Sequence, residues 1–420
     1  MHSNAGGATT RPGDREFEVV VHGATGFVGR LVAGHLARSA PPGTRVALSG
    51  RSADRLAAVR AGLGAVAADW PLLTADSADA TALAAVVRRA RVVASTVGPY
   101  AVHGLPLVGA CATAGTDYVD LTGEVTFVRR SIDAADATAV ATGARIVHAC
   151  GFDSVPSDLG VLLLHRAATA DGADDGTGLT ETALTLVAAR GGLSGGTTAS
   201  LLGQLESARV DPEVRALLRD PYSLSPDRAA EPDLGPEPDD AGVRFAATPG
   251  GWVGPYVMAR FNTRVVRRSN ALSGYAYGRG FRYQEQIEFG TGRIAAVTAR
   301  AATGAVRGAT IALGAGPVRA LLHRVLPGGS GPGERTRAAG YFRLTVHTRT
   351  TAGRELTATV AAKGDPGYAA TSVMIGEAAL ALALDRDRLP DRAGVLTPAT
   401  GIGDVLVDRL RTAGMTLTVS

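Results

Sequence analysis

The chain of 420 residues is long enough to fold into two or three domains. Hydrophobic residues make up 45% of it and charged residues 20%, a composition that is typical of a globular protein. The formal net charge is +4, and the 43 basic residues are interspersed with 39 acidic ones. A nucleic-acid-binding protein would concentrate its basic residues on one element, so we expect no nucleic-acid partner.

The two cysteines, Cys111 and Cys150, have no neighbouring Cys or His at the spacing of a zinc site. We therefore expect no metal, and we expect two free, buried thiols in a protein of the reducing cytosol. Residues 1–15 contain no apolar core, which argues against a signal peptide and predicts a disordered tail.

No segment of the sequence predicts a transmembrane helix. The apolar stretch 308–318 is much shorter than the ~20 residues that a bilayer requires, and it contains Pro317. Segment 319–327 is amphipathic, which fits either a packed helix or a helix that contacts a membrane surface. We expect a cytoplasmic protein, with membrane association left open.

The elements predicted for the first 165 residues alternate between strands and helices. Strands are predicted at residues 17–23, 45–50, 65–69, 91–98, 117–121 and 144–151. Helices are predicted at residues 27–38, from residue 54, and at 77–90, 103–115 and 124–142. Alternation at this spacing is typical of a doubly wound parallel sheet, the Rossmann architecture.

The pattern changes after about residue 165, where long antiparallel strands are predicted. Segment 179–190 is predicted to be one strand, and segment 340–364 a hairpin with its turn at residues 351–354. Residues 206–250 and 326–340 are rich in proline and in acidic residues or glycine, which indicates long surface loops. Two further helices are predicted, at residues 371–385 and 403–414.

The fold class expected from these elements is α/β with two main units. The predicted organisation is a tail at residues 1–15, a dinucleotide-binding Rossmann domain at 16–165, a substrate domain of α+β type on a largely antiparallel sheet at 166–368, and C-terminal helices at 369–420 that pack back on the Rossmann domain.

A glycine-rich turn joins the first predicted strand to the first predicted helix. Gly23 permits the tight turn, Gly26 lets backbone amides approach a diphosphate, and Gly29 lets the helix lie close to the strand. The diphosphate would then meet unpaired N–H groups at the positive end of the helix dipole. The residues predicted to hold it are Gly23, Ala24, Thr25, Gly26, Phe27, Val28 and Gly29. The alternative is a purely structural turn.

The end of the second strand favours NADP(H) as the cofactor. A site for NAD would place an acidic residue here to bind the ribose hydroxyls, whereas this chain has Ser49, Arg51 and Ser52. An arginine at this position suits the 2′-phosphate of NADP, although it also fits a solvated surface. Asp69, at the end of the predicted third strand, is expected to contact the adenine edge or to cap the next helix.

The carboxyl ends of the fourth and sixth strands are expected to complete the cofactor site. Ligands of open parallel sheets lie at this edge, so Thr96, Val97, Gly98 and Pro99 are predicted to line the nicotinamide ribose. Phe152 and Asp153 are predicted to face the cleft between the domains.

Several strings of the sequence together resemble the saccharopine dehydrogenase-like oxidoreductases. They are "GATGFVGRLVA", "ALSGRS", "STVGPYAVHG", "YVDLTGE" and "HACGFDSVPSDLG". Strings further along, among them "RDPYSLSP", "YGRGFRYQE" and "GVLTPATGIGDVLVDRL", are similar to the branch of trans-acting enoyl reductases. The resemblance covers about residues 16–418.

The resemblance implies an NADPH-dependent reduction of a carbon–carbon double bond in a polyketide or fatty-acyl thioester. It implies a role in lipid or polyketide biosynthesis and a polyketide synthase or acyl carrier protein as partner. Two other functions stay open, an imine or amino-acid oxidoreductase and an NADP-binding scaffold without turnover. A homo-oligomer is also left open.

Enoyl reduction needs a proton source beside the nicotinamide. Tyr100 is the first candidate and His103 the second, since both follow the fourth strand. Tyr100 could instead stack beside the nicotinamide, and His103 could cap its helix. Asp120 and Glu124 suggest either acid–base chemistry or structural capping. A group of arginines could bind the phosphate of a phosphopantetheine arm or form a solvated face. They are Arg264, Arg267 and Arg268.

Overall fold

The computed structural model describes residues 15–170, 178–191, 195–313 and 333–420. Residues 1–14 of the predicted tail and the amphipathic segment 319–327 lie outside the described residues.

The first sheet is parallel, and its strands alternate with helices. Its first six strands are β1 Phe17–His22, β2 Val46–Gly50, β3 Leu72–Thr74, β4 Ala90–Ser95, β5 Asp117–Asp120 and β6 Arg145–Val147. The helices that follow them are α1 Phe27–Ser39, α2 Ala53–Gly62, α3 Ala80–Arg89, α4 Tyr100–Ala114, α5 Val125–Thr142 and α6 Val155–Thr169. A seventh strand, β13 Gly394–Leu396, extends the sheet to the order β13-β6-β5-β4-β1-β2-β3.

The prediction of a strand at residues 65–69 is wrong. Ala65–Ala67 form one 3₁₀ turn, and the third strand is formed by Leu72–Thr74 instead. The stretch 65–69 is mostly alanine and leaves Val66 71% exposed, so it has little apolar surface to bury in a sheet. Leu73 is buried and supplies that surface.

Both faces of this sheet are covered, as expected for a doubly wound fold. Val19 and Val21 of β1 belong to the core that contains α1, whereas Val20 points into the core with α3 and α4. Because successive residues of a strand face opposite sides, β1 is apolar at every position between 19 and 21. All six residues of β1 are buried.

The second sheet is largely antiparallel, and one pair of its strands is parallel. Its strands are β7 Leu179–Arg190, β8 Arg244–Ala246, β9 Gly251–Pro255, β10 Arg282–Gly290, β11 Tyr341–Thr350, β12 Glu355–Lys363 and β14 Thr416–Val419, in the order β14-β12-β11-β7-β10-β9-β8. The exception is the parallel pairing of β7 with β10. β11 and β12 form the hairpin that the sequence predicts, with residues 351–354 as its turn. Buried residues of this hairpin share a core with α6.

The helices after the first sheet are α7 Gly195–Val210, α8 Pro212–Arg219, α9 Ala259–Leu272, α10 Gly292–Leu313 and α11 Glu334–Ala338. The prediction of a continuous loop at residues 206–250 is wrong at both ends, since its first part is helical and Arg244–Ala246 form β8. The predicted loop at residues 326–340 likewise contains α11. Asp211 accepts hydrogen bonds from the amides of Glu213 and Val214 at 2.8 and 3.3 Å. The Asp-Pro pair that suggests a loop is therefore the N-cap and first residue of α8.

The C-terminal residues contribute to both sheets. Their helices are α12 Thr371–Leu384, α13 Pro398–Gly401 and α14 Asp404–Thr412. The sequence prediction of helices alone misses two short strands, β13 beside β6 and β14 beside β12. Segment Pro366–Leu384 is long and apolar enough to cross a bilayer, but 78% of it is buried within the protein. It serves here as a core helix, and Glu377 ties it to α1 through His35 at 2.8 Å.

Candidate functional site

A cavity of about 1120 Å³ opens at the carboxyl ends of the strands of the first sheet. Its other wall is formed by α7, α8, the start of α9 and residues near Tyr368. The predicted site residues that line it are Gly23, Thr25, Gly26, Phe27, Val28, Arg51, Thr96, Val97, Gly98, Pro99, Tyr100, His103, Phe152 and Asp153. The cavity exceeds the range of about 300–1,000 Å³ usual for a single small ligand. The cavity is therefore large for a single drug-sized ligand and suits an extended one.

The glycine turn has the geometry of a diphosphate cradle. Gly23 has φ of +84°, and a Cβ there would lie 2.7 Å from a methyl carbon of Val97. Gly26 is the N-cap of α1, and no side chain caps this helix. Among the described residues, the amides of Phe27, Val28 and Gly29 make no hydrogen bond outside the helix. These free N–H groups fit the diphosphate of a dinucleotide.

Five of the predicted cofactor residues do not line the cavity. Ala24 and Gly29 are buried inside the turn, where they bring α1 close to β1. Ser49 is buried beneath it and bonds the ring of His22 at 3.1 Å. Ser52 caps α2 by accepting a hydrogen bond from the amide of Arg55 at 3.4 Å.

The assignment of Asp69 to the adenine edge is wrong. Because the third strand begins at Leu72, Asp69 precedes it and lies toward its amino end. Asp76 follows the carboxyl end of that strand and lines the cavity in its place. The error in the position of the strand thus moved the candidate residue by seven positions.

The structure adds residues that the sequence analysis missed at this end of the cavity. Arg55, in the first turn of α2, lines it together with Arg51, which precedes that helix, and both guanidinium groups are exposed without an ion pair among the described residues. His22 lies between the hydroxyls of Ser49 and Ser77, at 3.1 and 3.0 Å. Burial lowers the pKa of His22 to about 4, so the ring is neutral near pH 7. The available signal was a second arginine, Arg55, in the first turn of the helix that follows Arg51.

The two predicted proton donors lie at the start of α4 in different surroundings. The hydroxyl of Tyr100 donates to the carbonyl of Ser95 at 3.0 Å and accepts from the amide of Leu121 at 3.2 Å. Burial, with a contribution from Asp120, raises its pKa well above the usual value. The hydroxyl of Tyr100 is therefore already occupied, with one hydrogen bond donated and one accepted inside the protein. His103 is exposed at the cavity wall.

The carboxyl groups of Asp120 and Glu124 are both engaged in structural hydrogen bonds rather than free to act as an acid–base pair. Asp120 accepts hydrogen bonds from His148 at 2.8 Å and from the amide of Ala149 at 3.0 Å. Glu124 accepts from the amides of Tyr100 and Ala101 at 3.0 and 2.8 Å, so it caps α4. It also accepts from Ser200 of α7, at 2.7 Å, which fixes α7 to the first sheet.

Asp153 is the carboxyl group in the cavity wall that the fold leaves unused. It lines the cavity, and among the described residues it makes no hydrogen bond or ion pair. Burial in the cleft raises its pKa to about 6. Phe152 beside it is held in place, since its amide donates to Thr371 at 3.1 Å and its ring contacts that of Phe342.

Arg264, Arg267 and Arg268 of α9 neither line the cavity nor form a solvated face. Arg264 pairs with Asp239 at 2.9 Å, and Arg267 pairs with Glu237 at 3.2 Å. Arg268 donates to the carbonyls of Leu224 and Val395 at 2.6 and 2.5 Å. All three are buried. The prediction that they bind a phosphate is therefore wrong, because they hold the loop after α8 to α9.

Comparison with known proteins agrees with this architecture. The model of the saccharopine dehydrogenase NADP-binding domain matches residues 19–147. Apo saccharopine dehydrogenase (L-Glu forming) from Saccharomyces cerevisiae superposes with a TM-score of 0.54 at 15% identity, over 96% of this chain and 99% of that one. The fold and the site thus define an NADP-dependent oxidoreductase of the saccharopine dehydrogenase type.

Two relatives of known family identify the chain more closely within this class. A putative trans-acting enoyl reductase of Mycobacterium tuberculosis is 52% identical over 412 residues, 96% of this chain and 97% of that protein. The trans-acting enoyl reductase of Mycobacterium ulcerans is 49% identical over 421 residues, 97% of this chain and 98% of that protein. The chain belongs to the family of trans-acting enoyl reductases.

Proposed function

We propose that this protein reduces the carbon–carbon double bond of an enoyl thioester with NADPH. The observation that carries the proposal is the lining of the cavity beyond the nicotinamide end. The apolar side chains that line the cavity include Leu121, Val125, Val257, Met258 and Phe261. This apolar lining suits an acyl chain, and the cavity arginines Arg219 and Arg260 are exposed to solvent rather than buried among these apolar side chains.

The cofactor end of the cavity supports NADPH rather than NADH. Arg51 and Arg55 line it, and no acidic residue occupies the end of β2, Val46–Gly50. Two guanidinium groups can bind the 2′-phosphate with charge-assisted hydrogen bonds. The diphosphate is assigned to the free amides at the start of α1.

Replacing Arg51 by aspartate should weaken NADPH binding far more than NADH binding. Loss of a charge-assisted hydrogen bond costs about 1.5–3 kcal/mol, which corresponds to roughly tenfold to a hundredfold in Kd. Fluorescence titration with both nucleotides measures this. Arg38→Asp is the control, since Arg38 is exposed at the far end of α1. Equal losses for NADPH and NADH in Arg51→Asp would remove Arg51 from the phosphate site.

The chemistry assigned to the chain's own residues is positioning and protonation. When bound, NADPH would supply the hydride that the β-carbon accepts. Asp153 then gives its proton to the α-carbon, and the carboxylate regains a proton from water when the product leaves. The acid is suited to this step because no other group in the described residues holds its proton.

The partner we propose is the arm that carries the thioester, on a polyketide synthase or an acyl carrier protein. Trans-acting enoyl reductase is the name of relatives that match this chain over nearly their whole length. We place the reaction in the cytosol, where the buried free thiols of Cys111 and Cys150 stay reduced.

NADPH oxidation by the full chain tests the proposed function. The substrates are a panel of enoyl thioesters of increasing chain length and, separately, keto acids with amino acids or ammonia. We expect oxidation with enoyl thioesters and formation of the saturated thioester. Turnover of the keto acid and amine pairs alone would assign an imine reductase. NADPH binding without turnover of any substrate would assign a scaffold.

A further inference from the structure

Two arginines on the rim of the cavity have no partner that neutralises them directly. Arg219 is the last residue of α8, and Arg260 lies in the first turn of α9. Both are exposed and both line the cavity. Neither guanidinium makes a hydrogen bond or an ion pair among the residues that the structure describes. Unpaired charges on a cavity rim favour an anionic ligand.

A buried arginine brings these two positions together. One guanidinium nitrogen of Arg264 donates to the carbonyl of Arg260 at 2.6 Å, and the other donates to the carbonyl of Leu218 at 2.8 Å. The end of α8 and the start of α9 are thereby both hydrogen-bonded to one side chain. Arg219 follows Leu218 directly, so both rim arginines project from backbone that Arg264 fixes.

The acidic residues of the rim are already engaged. Asp239 pairs with Arg264 at 2.9 Å, and Asp240 pairs with Arg307 at 2.8 Å. Arg260 contributes to lowering the pKa of Asp240, but Arg307 makes the direct contacts. Arg215, also on the rim, donates to the carbonyls of Ala208 and Arg209, at 3.0 and 3.2 Å. The guanidinium groups of Arg219 and Arg260 are therefore available to bind a ligand.

The wall between the nicotinamide end and the rim is α7. Ser200 bonds Glu124, which caps α4, and Ala208 lies two turns further along beside the rim. Eight residues of helix span about 12 Å. Gln204, between them, is fixed to the first sheet through Gly123 and Val125, at 3.1 Å each. A ligand that reaches both ends must therefore be longer than about 12 Å, with its reacting group inside and its anion outside.

We propose that Arg219 and Arg260 bind the phosphate of a 4′-phosphopantetheine arm whose enoyl thioester lies at the nicotinamide end. Arginine pairs are suited to a phosphate because each guanidinium offers several donors in a fixed plane. The inference rests on the proposed function, since it names the carrier of the substrate of that same site. Coenzyme A and acyl carrier proteins both present this phosphate.

Three thioesters of one enoyl group test the site, those of N-acetylcysteamine, pantetheine and 4′-phosphopantetheine. Only the third carries the phosphate. We expect kcat/KM of the wild type to be about tenfold higher for it than for the pantetheine thioester, through KM. The double variant Arg219→Gln, Arg260→Gln should lose this advantage and keep its activity on the pantetheine thioester. Added salt should reduce the advantage in the wild type.

The control is Arg38→Gln, an exposed arginine at the far end of α1, which should keep the phosphate preference. A wild type without phosphate preference, or a double variant that loses equally on both pantetheine substrates, overturns the proposal. The thioesters of coenzyme A and of an acyl carrier protein, with the same acyl group, are then compared. The source of the phosphate is the carrier whose thioester loses more kcat/KM in the double variant.

Binding of non-acylated 4′-phosphopantetheine, compared with pantetheine by calorimetry in the presence of NADP⁺, separates the two proposals. Binding that depends on both arginines, without any thioester reduction, supports the rim site and contradicts the proposed function. Reduction of thioesters without such binding supports the proposed function and contradicts the rim site.

Discussion

Replacing Asp153 by asparagine should lower kcat for enoyl reduction by roughly 10²–10⁴-fold, the range for loss of a general acid. The amide keeps the size of the side chain but cannot give up a proton to the α-carbon. NADPH binding should change little, because the amide keeps the size of the side chain and Asp153 makes no hydrogen bond or ion pair among the described residues. Stopped-flow measurement of NADPH oxidation, together with an NADPH titration, measures both quantities.

The pH profile distinguishes a proton donor from a structural residue. Asp153 must be protonated to act, and burial raises its pKa to about 6. In the wild type, kcat/KM should therefore fall as the pH rises above about 6. The neighbouring hydroxyl of Tyr256 stays protonated across this range, because burial, Glu285 and Asp153 all raise its pKa. The Asp153→Asn variant should lack this limb of the profile.

Stability provides the control for this variant. A carboxyl group whose pKa is higher in the folded than in the unfolded state favours folding less as the pH rises from about 4 through about 6. Asp153→Asn removes that penalty. Its free energy of unfolding at pH 8 should be equal to or above that of the wild type. A variant that is both unstable and inactive would indicate a structural role.

Two further variants compare the donors predicted from sequence with Asp153. Tyr100→Phe removes a buried hydroxyl that bonds Ser95 and Leu121, so it should lower stability while most activity remains. His103→Gln changes an exposed side chain and should lower kcat less than Asp153→Asn. A larger loss in His103→Gln than in Asp153→Asn would assign the proton to His103.

Local patterns explain which parts of the fold the sequence predicts. The turn from Gly23 to Gly29 is recognisable because strand, glycines and helix follow one another within a few residues. The hairpin of β11 and β12 is also recognisable, because its two strands and the turn between them follow one another directly in the sequence. The third strand is only three residues long, and three alanines nearby suggested a strand in the wrong place. Asp76 was missed as a consequence.

The site residues that depend on distant contacts are the ones that the sequence misassigned. Arg264, Arg267 and Arg268 look like an exposed basic face, and only the acidic loop and carbonyls that the fold brings to them show that they are buried. Conversely, Asp153 is identifiable as a cleft residue, but that it lacks a partner is a property of the tertiary structure. Arg219 and Arg260 lie 41 positions apart and meet only through Arg264.

Gly29→Ala is expected to weaken NADPH binding by at least about a hundredfold and to destabilise the first sheet. A Cβ at this position would lie 2.2 Å from the carbonyl oxygen of Gly23 and 2.9 Å from Cα of Ala24. Both atoms belong to the backbone of the turn, so no side-chain rotation relieves the clash. Either α1 or the turn must move, and the amides that are assigned to the diphosphate move with it.

The other side of α1 prevents the helix from simply moving away. His35 packs so closely against α12 that a Cβ on Gly376 would lie 2.5 Å from its ring. His35 is also bonded to Glu377 of α12, at 2.8 Å. Because α1 is held from both sides, the clash at Gly29 has to distort the turn. Overpacking of this kind costs about 1–3 kcal/mol in stability.

Gly109→Ala is the matched control, since Gly109 lies inside α4 and a Cβ there meets nothing within 4 Å. That variant should gain roughly 0.5–1 kcal/mol, because alanine loses less backbone freedom than glycine in a helix. Thermal unfolding and NADPH titration of both variants form the measurement. If Gly29→Ala bound NADPH as tightly as Gly109→Ala, the close approach of α1 to the turn would not be what positions the diphosphate.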